Sequence, residues 1–464
     1  MFKIKINTTV ILAVIIVLTA LCTWFIPAGS YDKQIVDGRQ ILVEGSFHYI
    51  DKSPQSLFDV LKAPMQSFAR STTAEIMAFL LIIGGAFMII EKTGAITAAI
   101  KRASTVFMRH PSLRALYIPV TMTLFSLGGA TFGMSEEVLI FIPIFIPLSI
   151  SLKYDSLVGI SVPFLGASAG FAGAFMNPFT LGIAQGIAQL PLYSGIGLRT
   201  IIWACATIIA IVFVMLYARK IEKDPKASLT YDFDREKIKE LNLDKQSMEP
   251  FTKRHFWVLF AFAATMVWLV VGVLKYEWYI VEIGALFLGL AAVAAFLGGL
   301  KVSEATSAFY EGVKSMAEIV FLLALATAII IIAENGHILD TILHFMAGII
   351  SHLNSTIASW AAFIMQAAIN FFIPSGSSKA VLTMPILAPL SDLIGISRQT
   401  MILAYQFGDG WTNVCIPTSA VVIGVIGMAK LSFQKWFRFV IPLVGVWFAM
   451  SFIFLAIANY INWQ

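Results

Sequence analysis

Charge is scarce in this sequence. Asp, Glu, Lys and Arg together make up 13% of its 464 residues, about half the share of an ordinary globular chain. A soluble chain is not built this way. Cysteine is scarce too. Cys22, Cys205 and Cys415 are odd in number, scattered in apolar surroundings and without metal-ligand spacing. Neither a disulfide framework nor a zinc site is indicated. The nucleophile–base pairs and metal motifs that an intramembrane enzyme needs are also missing. The net charge of +5 carries no nucleic-acid signal, because basic residues in a chain this apolar mostly set topology.

Apolar runs are what the sequence has instead. Hydrophobic residues make up 58% and the mean hydropathy is +0.84. Several runs reach or approach the roughly 20 residues a helix needs to cross a bilayer. The expected fold class is an all-α polytopic membrane protein. Apolar spans fall near 8–26, 74–91, 115–132, 135–152, 155–190, 199–218, 256–274, 278–300, 316–333, 355–373, 380–393, 398–428 and 437–460. The first is too long for a signal-peptide core and more spans follow, so it reads as a retained helix. Residues 30–50 alternate polar and apolar around an Asp-Gly turn, the pattern of a small exposed hairpin. Residues 219–255 hold ten Lys/Arg and eight Asp/Glu. They form a charged linker between residues 1–218 and 256–464.

The two halves repeat each other. "AEIMAFLLIIGGAFMIIEKTGAI" (74–96) resembles "AEIVFLLALATAIIIIAENGHI" (317–338). "SEEVLIFIPIFIPLS" (135–149) aligns with "SSKAVLTMPILAPLS" (377–391) at an offset of 242, matching Pro143 to Pro385, Pro147 to Pro389 and Ser149 to Ser391. "FMNPFTLGIAQ" (175–185) matches "VCIPTSAVVIG" (414–424) after a three-residue shift. From Lys92 to Arg114 there are five basic residues (Lys92, Lys101, Arg102, Arg109, Arg114), whereas 335–378 has none. By the positive-inside rule the two stretches belong on opposite sides of the membrane, the first cytoplasmic. The expectation is therefore an inverted repeat, with helix 256–274 as the unpaired span that turns the second half over. The linker and N-terminus would be cytoplasmic and the C-terminus external. Inverted repeats point to a secondary transporter with its site near the midplane.

Each half has two irregular places. One is a helix–turn–helix with short arms, at 115–152 around "GGATFGMSEE" and at 355–393 around "NFFIPSGSSK". Such arms suit re-entrant hairpins. The other is a long apolar segment with a Gly/Pro/Asn break, at 155–190 around Pro178 and at 398–428 around Pro417. Proline removes a helical donor and frees a carbonyl. Broken backbone at membrane depth is tolerated only against protein or a water-filled cavity.

These paired serine-containing tips and Asn/Thr-Pro breaks resemble the ion transporter superfamily. The stretches "FIPSGSSKAVLTMPILAPLSDLIGISRQTMILAYQFGDGWTN" and "IPAGSYDKQIVDGRQ" are similar to its YfcC-type branch. That branch is grouped with basic amino acid antiporters and is related to anaerobic four-carbon dicarboxylate carriers. The resemblance implies a scaffold plus a mobile transport domain that moves by an elevator motion, a homodimer, and a site at the inner (cytoplasmic) membrane's midplane.

The charged residues inside the apolar runs are the sharpest candidates. Glu136 and Glu137 either cap a helix whose N-cap is Ser135 or face a midplane cavity and take a cation or a proton. Lys379 occupies the position that matches Glu137. A cation at a helix N-terminus opposes the dipole, so it needs a carboxylate partner or must snorkel to the surface. Asp409 lies mid-span between glycines, with Gly410, Trp411, Thr412 and Asn413 behind it. It either binds substrate or is a buried acid paired with Lys379. Trp411 could stack on a planar cation or simply pack. Ser375, Gly376, Ser377 and Ser378 offer hydroxyls and amides suited to a carboxylate. Asn177, Thr180 and Thr418 flank the breaks. By resemblance, a sodium ion could lie near Thr131, Ser135 and Asn177, or near Ser377, Asn413 and Thr418; proton coupling and ion-free exchange stay open. Glu91 and Glu334 are symmetry mates that read as caps or water-facing groups. His337, His344 and His352 recur in an amphipathic stretch and read as surface residues. The acids Glu136, Glu137 and Asp409 outnumber Lys379, which favours an arginine- or ornithine-like amino acid over a four-carbon dicarboxylate or short-chain carboxylate.

Overall fold

The computed structural model describes residues 8–36, 39–43, 45–99, 102, 111–240, 251–276 and 278–464. The Asp37-Gly38 turn, Lys101, Arg109 and linker residues 241–250 lie outside them. The fold is helical throughout, apart from two short antiparallel ladders near the N-terminus. Among the described residues, eight helices are long and apolar enough to cross a membrane. They include α1 (Thr8–Phe25), α3 (Ser71–Lys92), α4 (Pro111–Phe132), α8 (Ile196–Lys223), α10 (Lys253–Tyr276), α11 (Ile280–Gly298), α12 (Val302–Asn335) and α18 (Phe433–Tyr460).

Two further helices are not marked by the apolar pattern. The first, α2 (Leu57–Ala69), has a capping box in which Ser56 Oγ accepts from the Asp59 backbone and Asp59 accepts from the Ser56 backbone. It meets α3 at Arg70, whose backbone is extended (φ −80°, ψ 114°). The second, α13 (Leu339–Ile350), is short and amphipathic. The span expected at 316–333 is longer than the pattern suggested: α12 has 34 residues, about 51 Å at 1.5 Å per residue.

Small residues let the long helices touch along their backbones. A Cβ on Gly312 of α12 would fall 2.1 Å from the Gly84 carbonyl oxygen of α3, and one on Gly170 would fall 1.8 Å from the Ser126 carbonyl oxygen of α4. Strands β1 (Gly29–Ser30) and β4 (His48–Tyr49) pair, as do β2 (Lys33–Val36) and β3 (Arg39–Leu42), with Lys33 opposite Leu42. This small unit is tied to α13: Tyr31 N–H donates to Asp340 at 3.2 Å, and Phe47 stacks on His344 at 4.0 Å.

The irregular segments sit at the centre of the molecule. The first hairpin is α4 and α5 (Val138–Ser151); the second is α14 (Ser355–Asn370) and α15 (Gly376–Leu393). At 22 residues, α4 is longer than the short arm expected. Each break follows a helix that is almost wholly enclosed: α6 (Ser156–Ala172) in the first half and α16 (Arg398–Thr412) in the second. After the breaks come a π-helical turn, Pro178–Gly182, leading into α7 (Ile183–Ile187), and α17 (Ala420–Met428). Part of the charged linker folds as α9 (Tyr231–Glu240), which docks on the α5–α6 connection through Asp234 and Ser156.

Candidate functional site

Neither break is a proline kink inside a continuous helix. In the first, α6 ends at Gly173 and a new turn starts with Pro178 in its first position, where the missing N–H costs nothing. Asn177 caps that turn, its Oδ1 accepting from Phe179 N–H at 2.9 Å and Thr180 N–H at 3.3 Å. In the second, α16 ends at Thr412, and Pro417 lies in the unwound stretch 413–419 before Ser419 caps α17. Both prolines therefore mark where the second half-helix begins.

The two tips rest on these breaks. Gly133 of the first tip has φ +74°, and a Cβ there would lie 2.6 Å from Asn177 Oδ1. A Cβ on Gly376 of the second tip would lie 2.5 Å from Thr180 Cγ2 and 3.0 Å from Asp409 Oδ2. Ser375 caps α15 through Ser378 N–H, and the Gly376 carbonyl accepts from Tyr405 OH at 2.5 Å. The expected N-cap role of Ser135 is corrected. Its side chain does not cap α5. Glu137 Oε2 instead accepts the Ser135 N–H at 2.9 Å, so the carboxylate holds the tip.

Between the tips, the breaks and a wall formed by α3 and α12 lies a cavity of about 440 Å³. That volume is in the range of small-ligand sites. The first tip lines it through Gly133, Met134, Ser135 and Glu136, and the second through Ser375 to Ser378. Gly410, Asn413, Thr418 and Ser419 contribute from the second break. Arg70, Thr73, Thr327 and Tyr279 face them from the wall. Of the lining residues only Glu136 and Arg70 carry charge.

Other candidates lie behind this lining. Lys379 and Asp409 are fully buried and form an ion pair at 2.9 Å. Lys379 Nζ also donates to Asn370 Oδ1 at 2.8 Å. Asn370 Nδ2 in turn reaches the Asp409 carbonyl (3.0 Å), Thr412 Oγ1 (2.7 Å) and Asn413 Oδ1 (2.8 Å). One amide thus stitches the second tip's arm to the second break. Burying an ion pair is tolerated when further hydrogen bonds satisfy it; Asn370 serves the ammonium, and Asn413 Nδ2 reaches the Asp409 carboxylate at 3.4 Å. The count of three acids against one base changes accordingly. Asp409 is neutralised by Lys379, Glu137 is spent on Ser135, and the cavity holds one acid and one base.

Trp411 is completely buried away from the cavity. It stacks on Trp447 with centroids 4.6 Å apart and donates to Ser451 Oγ at 2.8 Å, so the stacking role on a substrate cation is withdrawn. The Thr131 hydroxyl donates to the Leu127 carbonyl at 2.6 Å and does not line the cavity. Asn177 Nδ2, Thr180 Oγ1 and Thr418 Oγ1 are buried without a hydrogen-bond partner, an arrangement that leaves them available to a ligand or water. Glu334, read as a cap or water-facing group, is exposed and also forms a two-bond pair with Arg70. Arg70 and Asn370 went unread. The capping box before α2 was a signal for Arg70, because a helix ending at Ala69 places an arginine at the break. Asn370 had the weaker signal of a lone amide at the end of an apolar arm.

Comparison with known proteins places the chain among carriers. Residues 7–460 match the family model for the C4-dicarboxylate anaerobic carrier, DcuC. An Escherichia coli protein named "Putative basic amino acid antiporter YfcC" is 36% identical over 96% of this chain and 94% of its own. An uncharacterized Haemophilus influenzae protein is 27% identical over 97% of this chain and 96% of its own. Among solved structures, the Alcanivorax borkumensis YdaH transporter covers 98% of this chain and 99% of its own, at 14% identity and a TM-score of 0.44.

Proposed function

The chain belongs to the C4-dicarboxylate anaerobic carrier family, and on that premise we propose that it is a secondary active transporter that exchanges basic amino acids. The observation that carries this reading is the charge at the cavity. One carboxylate, Glu136, and one guanidinium, Arg70, line it, while Lys379 and Asp409 cancel each other behind it. A substrate with a carboxylate at one end and a cation at the other meets a partner for each. The name of the Escherichia coli relative supports the same class. A four-carbon dicarboxylate is the second reading, favoured by the family description and by the serines of the second tip. It requires a proton on Glu136 to remove the like charge.

The architecture we propose with it has two inverted repeats, re-entrant hairpins, and a mobile domain of both hairpins and both broken helices. The remaining helices form a dimeric scaffold in the cytoplasmic membrane, with the N-terminus and linker inside. The sequence match between halves and the packing of α3 against α12 support this reading. Closing the tips over substrate would hide its charges from lipid and allow an elevator movement. The drive is exchange, a proton on Glu136, or a sodium ion near Ser135 and Asn177 or near Ser377, Asn413 and Thr418.

Proteoliposomes preloaded with ornithine test the proposal. Labelled arginine should enter at least tenfold faster than into empty vesicles, with sodium and pH varied to expose coupling. Uptake of succinate alone would transfer the assignment to the second reading. If neither arginine, lysine nor ornithine exchanges or shifts the melting temperature, the amino acid reading fails.

A further inference from the structure

We propose that Arg70 is the anchor for the substrate's carboxylate, and that Glu334 is a place-holder occupying its guanidinium until substrate arrives; this rests on the transporter reading above. Arg70 sits at the junction of α2 and α3, where the backbone is extended and the side chain takes no part in capping. It lines the cavity, whereas Glu334, one residue from the end of α12, does not. The guanidinium therefore stands at the boundary between the cavity and Glu334, its acid partner among the described residues. Two of its five N–H groups are used, Nη1 to Glu334 Oε2 at 2.8 Å and Nη2 to Glu334 Oε1 at 3.0 Å.

This fork-to-fork geometry is the one arginine uses for any carboxylate, so a substrate carboxylate can take the place of Glu334 without new chemistry. The exchange is easy because the pair is weak. Its side chains are 38% and 43% exposed, and ion pairs that wet contribute little. Once the cavity closes and water leaves, the same two bonds to substrate become stronger. The neighbouring hydroxyls Thr73 and Thr327, 3.5 Å apart, extend the polar wall on which the carboxylate would rest. Glu136 on the opposite tip is left for the cationic end. Arg70 thus gives the site its polarity, from the wall and not from the tips.

The test compares each acid with its amide, so that only the carboxylate changes. Binding of arginine, argininamide, succinate and succinamate to the purified full chain is measured by calorimetry. The wild type should prefer the acid of the pair it recognises. Arg70→Gln should reduce that preference at least tenfold by weakening acid binding, with the amide's affinity unchanged. Arg70→Lys should retain part of it. Glu334→Gln should strengthen acid binding three- to tenfold, because the competing carboxylate is gone; a purely structural ion pair predicts weaker binding. If Arg70→Gln keeps the full preference, or weakens acid and amide alike while Arg70→Lys behaves as wild type toward both, the anchor role is overturned. Recognition of succinate and not arginine would sink the amino acid reading while leaving Arg70 to be judged on the succinate pair. If the wild type binds none of the four, both fall.

Discussion

The two hairpin tips occupy equivalent places but use their charges differently. Aligned at the 242-residue offset, Glu136 corresponds to Ser378 and Glu137 to Lys379. Glu136 and Ser378 both line the cavity, while Glu137 and Lys379 both turn into the protein. The position that faces the cavity therefore carries an acid on one tip and a hydroxyl on the other. The position behind it holds the tip in place, through a backbone amide in one case and an ion pair in the other. The contrast between Glu-Glu and Ser-Lys that stands out in the sequence separates into a cavity-facing half and a supporting half.

Removing the supporting ion should have the largest effect. Lys379→Met leaves Asp409 charged and buried without a partner, which costs on the order of 3–5 kcal/mol. We expect poor accumulation and a sharply lowered melting temperature in detergent. Lys379→Met combined with Asp409→Asn removes both charges and should recover most of that loss, with at least a tenth of wild-type transport. A double variant that regains stability yet carries nothing would mean that one of the two charges touches substrate, and the division between front and back positions would collapse.

On the first tip the same division predicts a crossed result. Glu136→Gln should weaken arginine binding tenfold or more with little change in melting temperature. Glu137→Gln should do the reverse, because it weakens the charge-assisted bond to Ser135 N–H, a loss of about 1 kcal/mol, and should leave affinity within about threefold. Thermal shift with and without arginine reads both quantities from one sample. If Glu137→Gln proves the more harmful to binding, the tip is turned differently in the loaded state.

Much of this arrangement is legible in the sequence alone. The breaks and tips could be found because proline, glycine and hydroxyl residues interrupt apolar runs at matched offsets, and both signals are local. Which face of a tip looks into the cavity is not local. Glu136 and Glu137 are neighbours with the same chemistry, and the tertiary contacts of the tip separate them. The pairing of Lys379 with Asp409 can be offered as one of two readings, but not Asn370, which bonds Lys379 nine residues away and Asp409 39 residues away. Arg70 is not legible because α2 is amphipathic and short, so hydropathy reads its end as a loop. Trp411 shows the opposite failure. An aromatic beside a buried acid suggests a binding box, yet its indole is consumed by Trp447 and Ser451.

The bases of the hairpins extend the comparison and give the smallest expected effect. The second is tied by Arg398, which pairs with Asp392 at 2.6 Å and donates to the Ala188 carbonyl at 2.8 Å. The first is tied by Arg114, which donates to the Leu152 carbonyl at 3.0 Å and pairs with Glu222, and beside it stand two acids held by hydroxyls. Asp155 caps α6 and accepts from Tyr217 OH at 2.6 Å and Ser228 Oγ at 2.7 Å. Asp234 of the linker accepts from the Ser156 hydroxyl and from Thr230 Oγ1 at 2.7 Å. Burial pushes the Asp234 carboxyl up from 3.8 to about 6, outweighing its hydrogen bonds. An acid whose affinity for protons rises on docking favours the docked state at low pH. That stabilisation is complete below the ordinary value near 3.8 and is lost as pH rises through 6. Between pH 7.5 and 5.5 the opening of α9 should become about fourfold less favourable. Hydrogen exchange over 231–240, corrected for intrinsic rates, would measure it, and Asp234→Asn should flatten the dependence. The ion-paired base at 392–398 should show no matching change; if it does, the pH response belongs to the whole hairpin frame and not to the linker's acid.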